Sequence, residues 1–170
     1  MKIKSTKTPF SKNIVFLDTE FSTLDPYKGE ILSVGIIKLS GEELYIELEY
    51  DGPVSGWVKK NIIPTLKGPK ISRKKAKTII KKFIGNKKPY MVSYVNQFDA
   101  IYFYKLFGVE NQPCYWIPID FASMMFGYGK NPEKLLELAK KLKIKSSKYT
   151  LHNALDDARL LRDIYIKFFK

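Results

Sequence analysis

The sequence predicts an α/β domain: a mixed five-stranded sheet, an antiparallel meander joined to parallel strands, flanked by helices. Three observations predict it. Three strand-like segments follow one another before the first long helical pattern, which suits a meander. Beyond residue 70, helical periodicity alternates with short apolar runs, which suits parallel strands joined by crossover helices. The 170 residues, 45% of them hydrophobic, suffice for one domain with its own core.

Residues 1–12 read as a basic lead-in and 13–170 as a single domain. Asn13–Thr19 (NIVFLDT) is apolar on both faces and reads as a buried strand. After the loop 21–29, Glu30–Leu39 reads as a second strand, and Ser40-Gly41-Glu42 as a turn. Leu44–Tyr50 alternates apolar and polar residues, as the meander's third strand would. Val54–Ile63 reads as a short helix ended before Pro64. Ile71–Ile84 has Ser72 as N-cap, with Ala76, Ile79, Ile80 and Phe83 at helical spacing and lysines opposite. Pro89–Val95 is a buried strand, Gln97–Phe107 a helix ended by Gly108, and Tyr115–Ile119 a short strand. Phe121–Phe126, Pro132–Leu142 and His152–Phe168 read as helices.

The formal net charge is +13, from 30 basic and 17 acidic residues. Residues 67–88 hold ten basic side chains and no acidic one, whereas residues 18–51 hold nine of the acids. Segregated charge favours a polyanionic partner such as nucleic acid; general lysine enrichment or a solvated helix face is the plainer reading. Cys114 is the single cysteine, which excludes an intrachain disulfide. No apolar run approaches the ~20 residues of a membrane span, and the N-terminus lacks a signal-peptide apolar core. A soluble cytoplasmic protein is expected.

Five residues stand apart: Asp18, Glu20, Asp99, His152 and Asp157. Side chains alternate along a strand, so Asp18 and Glu20 share a face with Ile14 and Phe16. Two carboxylates aimed into one space at a strand end are costly unless a cation neutralises them, and Mg²⁺ and Mn²⁺ are hard ions that take oxygen ligands. Asp99 falls in the first turn of a helix, on the face continued by Tyr102, Phe103 and Leu106. Asp157 aligns with the packing stripe Ala154, Leu161, Ile164 and Phe168, whereas Asp156 aligns with Asp163 and Lys167. Asp157 is therefore the inward acid and Asp156 the solvated one. His152, the sole histidine, precedes this helix and suits a general base. Each residue also has a structural reading: solvated strand-end acids, a first-turn acid suited to the helix dipole, a structural histidine.

Asp18-Thr19-Glu20, Asn96 through Asp99, and His152 with Asp157 resemble, in this order, the three motifs of the DEDDh 3′-to-5′ exonucleases. The resemblance spans residues 14–166 and implies the ribonuclease-H-like fold. It implies that Asp18, Glu20, Asp99 and Asp157 hold two divalent ions, Mg²⁺ or Mn²⁺. It further implies that His152 activates a water against the terminal phosphodiester of a single strand, releasing a nucleoside 5′-monophosphate. Thr19, Asn96 and the backbone at Phe21 and Ser22 would then meet the terminal nucleotide, with Phe21 either stacking on a base or packing in the core.

Finer features, including ILSVGII after the first motif, Trp57-Val58 and Ile62-Ile63-Pro64, resemble small bacterial exoribonucleases of the mycobacterial polyadenylate-specific type. RNA is therefore favoured over DNA as substrate. The same chemistry on DNA and a non-catalytic nucleic-acid-binding module are the alternatives, and a homodimer fits the resemblance. Asp120 reads as a helix N-cap, and Trp57 and Trp116 as packing residues.

Overall fold

The structure, a computed structural model, describes residues 9–170; most of the basic lead-in, residues 1–8, lies outside the described residues. Among the described residues, six strands form one sheet: β1 (Ile14–Phe21), β2 (Ile31–Lys38), β3 (Glu43–Leu48), β4 (Lys70–Ile71), β5 (Tyr90–Ser93) and β6 (Ile119–Asp120). Their order is β4-β3-β2-β1-β5-β6. The β1–β2–β3 meander is antiparallel, and β4, β5 and β6 each run parallel to their neighbour, so the sheet is mixed as expected.

The strand count differs from the expected five. Lys70 and Ile71 pair with Glu47 and Leu48 before the following helix begins. Two residues are too few to carry an alternation, so Ile71 reads as helix in sequence. At the other edge only Ile119–Asp120 pairs with β5. Pro118 has no N–H for a ladder, and the chain before it stays outside the sheet.

Among the described residues, six α-helices flank the sheet: α1 (Gly56–Asn61), α2 (Arg73–Ile84), α3 (Gln97–Phe107), α4 (Phe121–Gly127), α5 (Leu135–Lys141) and α6 (Ala154–Phe168). Ser55, Ser72, Asp120 and Asn153 cap α1, α2, α4 and α6 with side-chain oxygens, which fixes where each helix starts. Asp120 is thus the N-cap read from the sequence. Pro64 ends α1 by diverting the chain into a 3₁₀ turn, Ile63–Thr65.

β1 is the central strand and is covered on both faces. Val15 and Leu17 pack on α2 and α3 through Ala76, Ile80 and Phe103. Ile14 and Phe16 pack on α4, α5 and α6 through Phe121, Leu138, Leu161 and Ile164. Residue parity in β1 therefore decides which layer each side chain meets. No helix among the described residues is long and apolar enough to cross a membrane.

Candidate active site

The α6-facing row of β1 continues past Phe16 to Asp18 and Glu20. Beyond the packed core this row opens into a cleft of about 470 Å³ at the end of the strand. Asp18, Glu20, Asp99, His152 and Asp157 all line it. The structure thus brings together the five residues singled out in the sequence, from three separated segments.

Each is held by its own element. Asp99 is buried in the first turn of α3, where its Oδ1 accepts the Thr19 backbone N–H at 2.8 Å and the Thr19 hydroxyl at 2.7 Å. This pair ties α3 to β1 across the site. Asp157 is in the first turn of α6, and its Oδ2 accepts the His152 backbone N–H at 2.8 Å. His152 is exposed, and its carbonyl accepts the Thr65 hydroxyl at 2.9 Å. Its ring packs edge-on against Trp57 at 5.1 Å. Ligand atoms of Glu20, His152 and Asp157 lie within 4.8 Å of one another, whereas Asp18 and Asp99 line the cleft outside that cluster.

Two left-handed backbone positions flank the cleft. His152 has φ +61° and Val95 φ +58°. A β-branched residue at positive φ is strained by roughly 1–3 kcal/mol, and such positions concentrate at functional sites. At Val95 the strain turns the chain sharply from β5 into α3, which sets Asp99 beside β1.

The electrostatics follow from crowding and burial. Burial pushes Asp18 well above the usual carboxylate range, and Asp99, Glu20 and Asp157 add repulsion. Burial first, then Asp157 and Asp99, raise Glu20 to about 8. Burial lifts Asp99 to about 7 against the opposing pull of the Thr19 hydrogen bonds. Burial also lifts Asp157 to about 7, opposed by the His152 amide. Four carboxylates in one cleft cannot all ionise cheaply without a cation. Asp156 behaves otherwise: it accepts the Thr150 amide and pairs with Arg159 at 2.7 Å, and it stays below the ordinary range despite partial burial.

The secondary residues divide. Thr19 is buried at the cleft wall, holding Asp99. Phe21 lines the cleft and stacks on Tyr102 at 4.6 Å, so it serves both the core and the site. Ser22 is fully buried and does not line the cleft; its hydroxyl and N–H engage Glu30 and its carbonyl accepts from Ser55. Asn96 lies at the start of α3 with its N–H on Asp120, outside the lining.

Sequence reasoning missed Gly35, Trp57 and Tyr94. Trp57 is 56% exposed and lines the cleft rather than packing inside, because the buried residue of α1 is Val58, packed with Ile62 just past the helix end against Leu32. Trp116, also read as a packing residue, is 66% exposed. Gly35 pairs with Asp18 in the β1–β2 ladder, and a Cβ there would lie 2.3 Å from the backbone of Ala154. A glycine inside a strand is the available signal for such an approach. Tyr94 lines the cleft from the end of β5, with its hydroxyl on the Pro132 carbonyl.

The exonuclease family model of the RNase T type matches residues 15–165. No curated protein sequence matches the chain significantly. Among solved structures, E. coli exonuclease I in complex with a dT13 oligonucleotide is similar at TM-score 0.68 and 17% identity, covering 89% of this chain and 39% of that one. The zinc-bound form of the same enzyme with single-stranded DNA gives 0.68 and 18%, covering 89% and 39%. Its dA16 complex gives 0.67 and 17%, covering 91% and 40%. At these identities the likeness concerns the fold, which is the ribonuclease-H-like exonuclease fold, and this chain spans about 40% of the exonuclease I length. With a family match that runs from β1 into the last turns of α6, the chain belongs to the exonuclease family.

Proposed function

We propose that this chain is a metal-dependent 3′-to-5′ exonuclease acting on single-stranded nucleic acid. One observation carries the reading: carboxylates from β1, α3 and α6 converge in a single cleft where burial and mutual repulsion hold their protons. Such a donor set is all oxygen and heavily anionic, which fits hard divalent cations. Asp18, Glu20, Asp99 and Asp157 would hold two such ions, Mg²⁺ or Mn²⁺. When bound, they supply charge neutralisation and Lewis acidity at the scissile phosphodiester.

The chain's own residues supply the rest. The His152 ring, exposed at the cleft rim and braced by Trp57, takes the proton of the attacking water. Thr19 orients Asp99 through two hydrogen bonds. Phe21 offers an aromatic edge to the terminal base while its face rests on Tyr102. Asn96, whose side chain caps nothing, would approach the terminal nucleotide from the start of α3, whereas the backbone groups of Ser22 are taken by Glu30 and Ser55. A cleft closed on one side by α1 suits a chain end, and a nucleoside 5′-monophosphate leaves.

The sequence resemblance to small exoribonucleases supports RNA. The single-stranded DNA bound by the structurally similar exonuclease I supports the second reading, the same chemistry on DNA. A non-catalytic binding module would need no such set of mutually repelling carboxylates. We further read residues 13–170 as one exonuclease domain, in a cytoplasmic protein that can pair as a homodimer.

The test incubates 5′-labelled single-stranded RNA and DNA of matched sequence with Mg²⁺, Mn²⁺ or chelator, and with Asp157→Ala as control. A ladder shortening from the 3′ end, lost with chelator and in the variant, is expected; the faster strand names the substrate. Retained binding with no shortening would overturn the catalytic assignment.

A further inference from the structure

A row of aromatic rings crosses the surface at the opposite end of β1 from the cleft. Phe10 meets Tyr90 edge-on at 6.3 Å, Tyr90 meets Tyr115 at 4.8 Å, and Tyr115 meets Trp116 at 6.2 Å. The terminal rings of this row face solvent: Phe10 is 95% and Trp116 66% exposed. The backbone holds the row in place. The Tyr90 amide donates to Asn13, the Tyr115 amide donates to Pro89 at 2.8 Å, and the Tyr104 hydroxyl donates to the Trp116 carbonyl at 3.0 Å. Tyr90 also packs on the core beside Ile14 and Val92, whereas Phe10 and Trp116 leave most of their apolar surface in solvent.

Cations border the row. Lys87 and Lys88 are exposed immediately before Pro89, and the Lys87 carbonyl is anchored by the Asn13 side chain at 2.8 Å. They end the stretch 67–88, which has ten basic residues. Arg73 alone among these ten makes a side-chain ion pair, with Glu30 at 3.1 Å; among the described residues the ammonium groups of the other nine pair with no carboxylate, although Lys81 lies over the Phe107 ring at 5.9 Å and the Lys67 backbone N–H donates to Glu47.

The two features meet at the start of β1 and β5: α2 covers the Val15–Leu17 face of the sheet, Tyr90 packs on the Ile14–Phe16 face, and the Lys87–Lys88 turn lies at the strand ends between them. The first residue of α2, Arg73, reaches Glu30, which directly precedes the residue paired with Phe21 at the cleft end of β1. Its last turn leads to Lys87 and Lys88 at the start of β1 and β5. Twelve residues at ~1.5 Å each make a cationic rod of about 18 Å between the two ends of the sheet. Lysines without a carboxylate partner attract phosphates, and rings open to solvent stack on bases; together they are the chemistry of single-strand binding without sequence readout.

We propose that the lysine face of α2 and the Phe10–Trp116 aromatic row form a second binding surface for the body of the single strand whose 3′ end is in the cleft. The inference rests on the nuclease reading for the location of that end. It assigns the residues outside the cleft that let a long strand bind more tightly than a short one. Stacking and phosphate pairing are indifferent to the sugar, so RNA and DNA of one sequence gain equally from this surface.

The experiment compares wild type, Phe10→Ala/Trp116→Ala, Lys87→Glu/Lys88→Glu and Lys74→Glu/Lys81→Glu, all surface changes, with circular dichroism verifying the fold. Each meets a trinucleotide and a strand of ~25 nucleotides, as RNA and as DNA, over a range of salt. For the long strand, KM should rise about tenfold in each variant, and the lysine pairs should flatten the salt dependence by ~0.7 in log–log slope for each phosphate that is no longer neutralised. Trinucleotide turnover should match wild type. Unchanged long-strand KM in all three variants overturns the proposal while leaving the nuclease intact. If wild type shortens nothing, the nuclease reading fails instead, and fluorescence anisotropy of the labelled long strand still decides: weaker binding by the variants supports the surface, and equal binding overturns it.

Discussion

Gly35 and Ala154 meet backbone against backbone: a Cβ on Gly35 would fall 2.3 Å from the Ala154 carbonyl and from the Leu155 nitrogen. Gly35 lies across the ladder from Asp18, and Ala154 begins the helix that carries Asp157. The missing side chain therefore lets α6 descend onto the sheet far enough for its carboxylate to join those of β1. Replacing Gly35 by alanine forces the two elements apart. Unfolding by denaturant should show a loss of about 1–3 kcal/mol, the usual range for overpacking. Activity should fall by more than stability predicts, because the Asp18–Asp157 separation changes. Wild-type turnover in Gly35→Ala would contradict this.

The acidity of the cleft sets a pH dependence. Glu20, Asp99 and Asp157 titrate near 8, 7 and 7 in the folded chain, above their ordinary values near 4. A raised carboxyl binds its proton more tightly folded than unfolded, so the folded state holds more protons between those values. Stability then falls as pH rises through that window. The carboxylates with lowered values, such as Asp156, change stability only at lower pH and do not offset it. Calorimetry of chelator-treated protein should give a melting temperature that declines from pH 5 to pH 8. Mg²⁺ or Mn²⁺ should restore it most at the upper end. A melting temperature rising across the window without metal would exclude the crowded-carboxylate account.

Adjacent acids on α6 should separate cleanly. Asp157→Asn keeps the acceptor for the His152 amide but removes a charge from the cleft, so activity should drop about 10²–10³-fold. Asp156→Asn loses its ion pair with Arg159 and should cost about 1 kcal/mol of stability with turnover near wild type. Paired unfolding and kinetic measurements read both; equal kinetic losses would remove the distinction.

Trp57 bears on His152 through an edge-on approach at 5.1 Å. Trp57→Ala frees the imidazole and removes part of the cleft wall. Aromatic pairs of this kind contribute about 0.5–1.5 kcal/mol, equivalent to a roughly two- to tenfold loss in kcat/KM. A stopped assay at saturating and limiting substrate would locate the loss in kcat if positioning is at stake. Trp57→Phe should recover most of it.

Much of this site is legible in the sequence. Alternation along β1 puts Asp18 and Glu20 on one face, and the α6 packing stripe chooses Asp157 over Asp156, because both arguments are local and periodic. What stays hidden is what chain-distant approach decides. Gly35 matters only because Ala154 arrives from a remote part of the chain. Trp57 and Trp116 read as packing residues in sequence, since bulk and apolarity indicate burial unless the opposing surface is known. The two-residue β4 is a product of its partner strand, and Ser22 turns inward because Glu30 and Ser55 claim its polar atoms.

The bond from the His152 amide to the Asp157 carboxylate closes a small ring of main chain between the two residues. The residues inside that ring act as a ruler: their number, more than their identity, sets the site. One added residue there would swing the start of α6 by ~100° about its axis and carry the carboxylate off the cleft. The exposed turn at Gly85 and Asn86, where nothing lies within 4 Å of a Cβ added at Gly85, should absorb an insertion of the same size. Length variation accepted in one place and refused in the other would mark which parts of the chain are measured and which are merely filled.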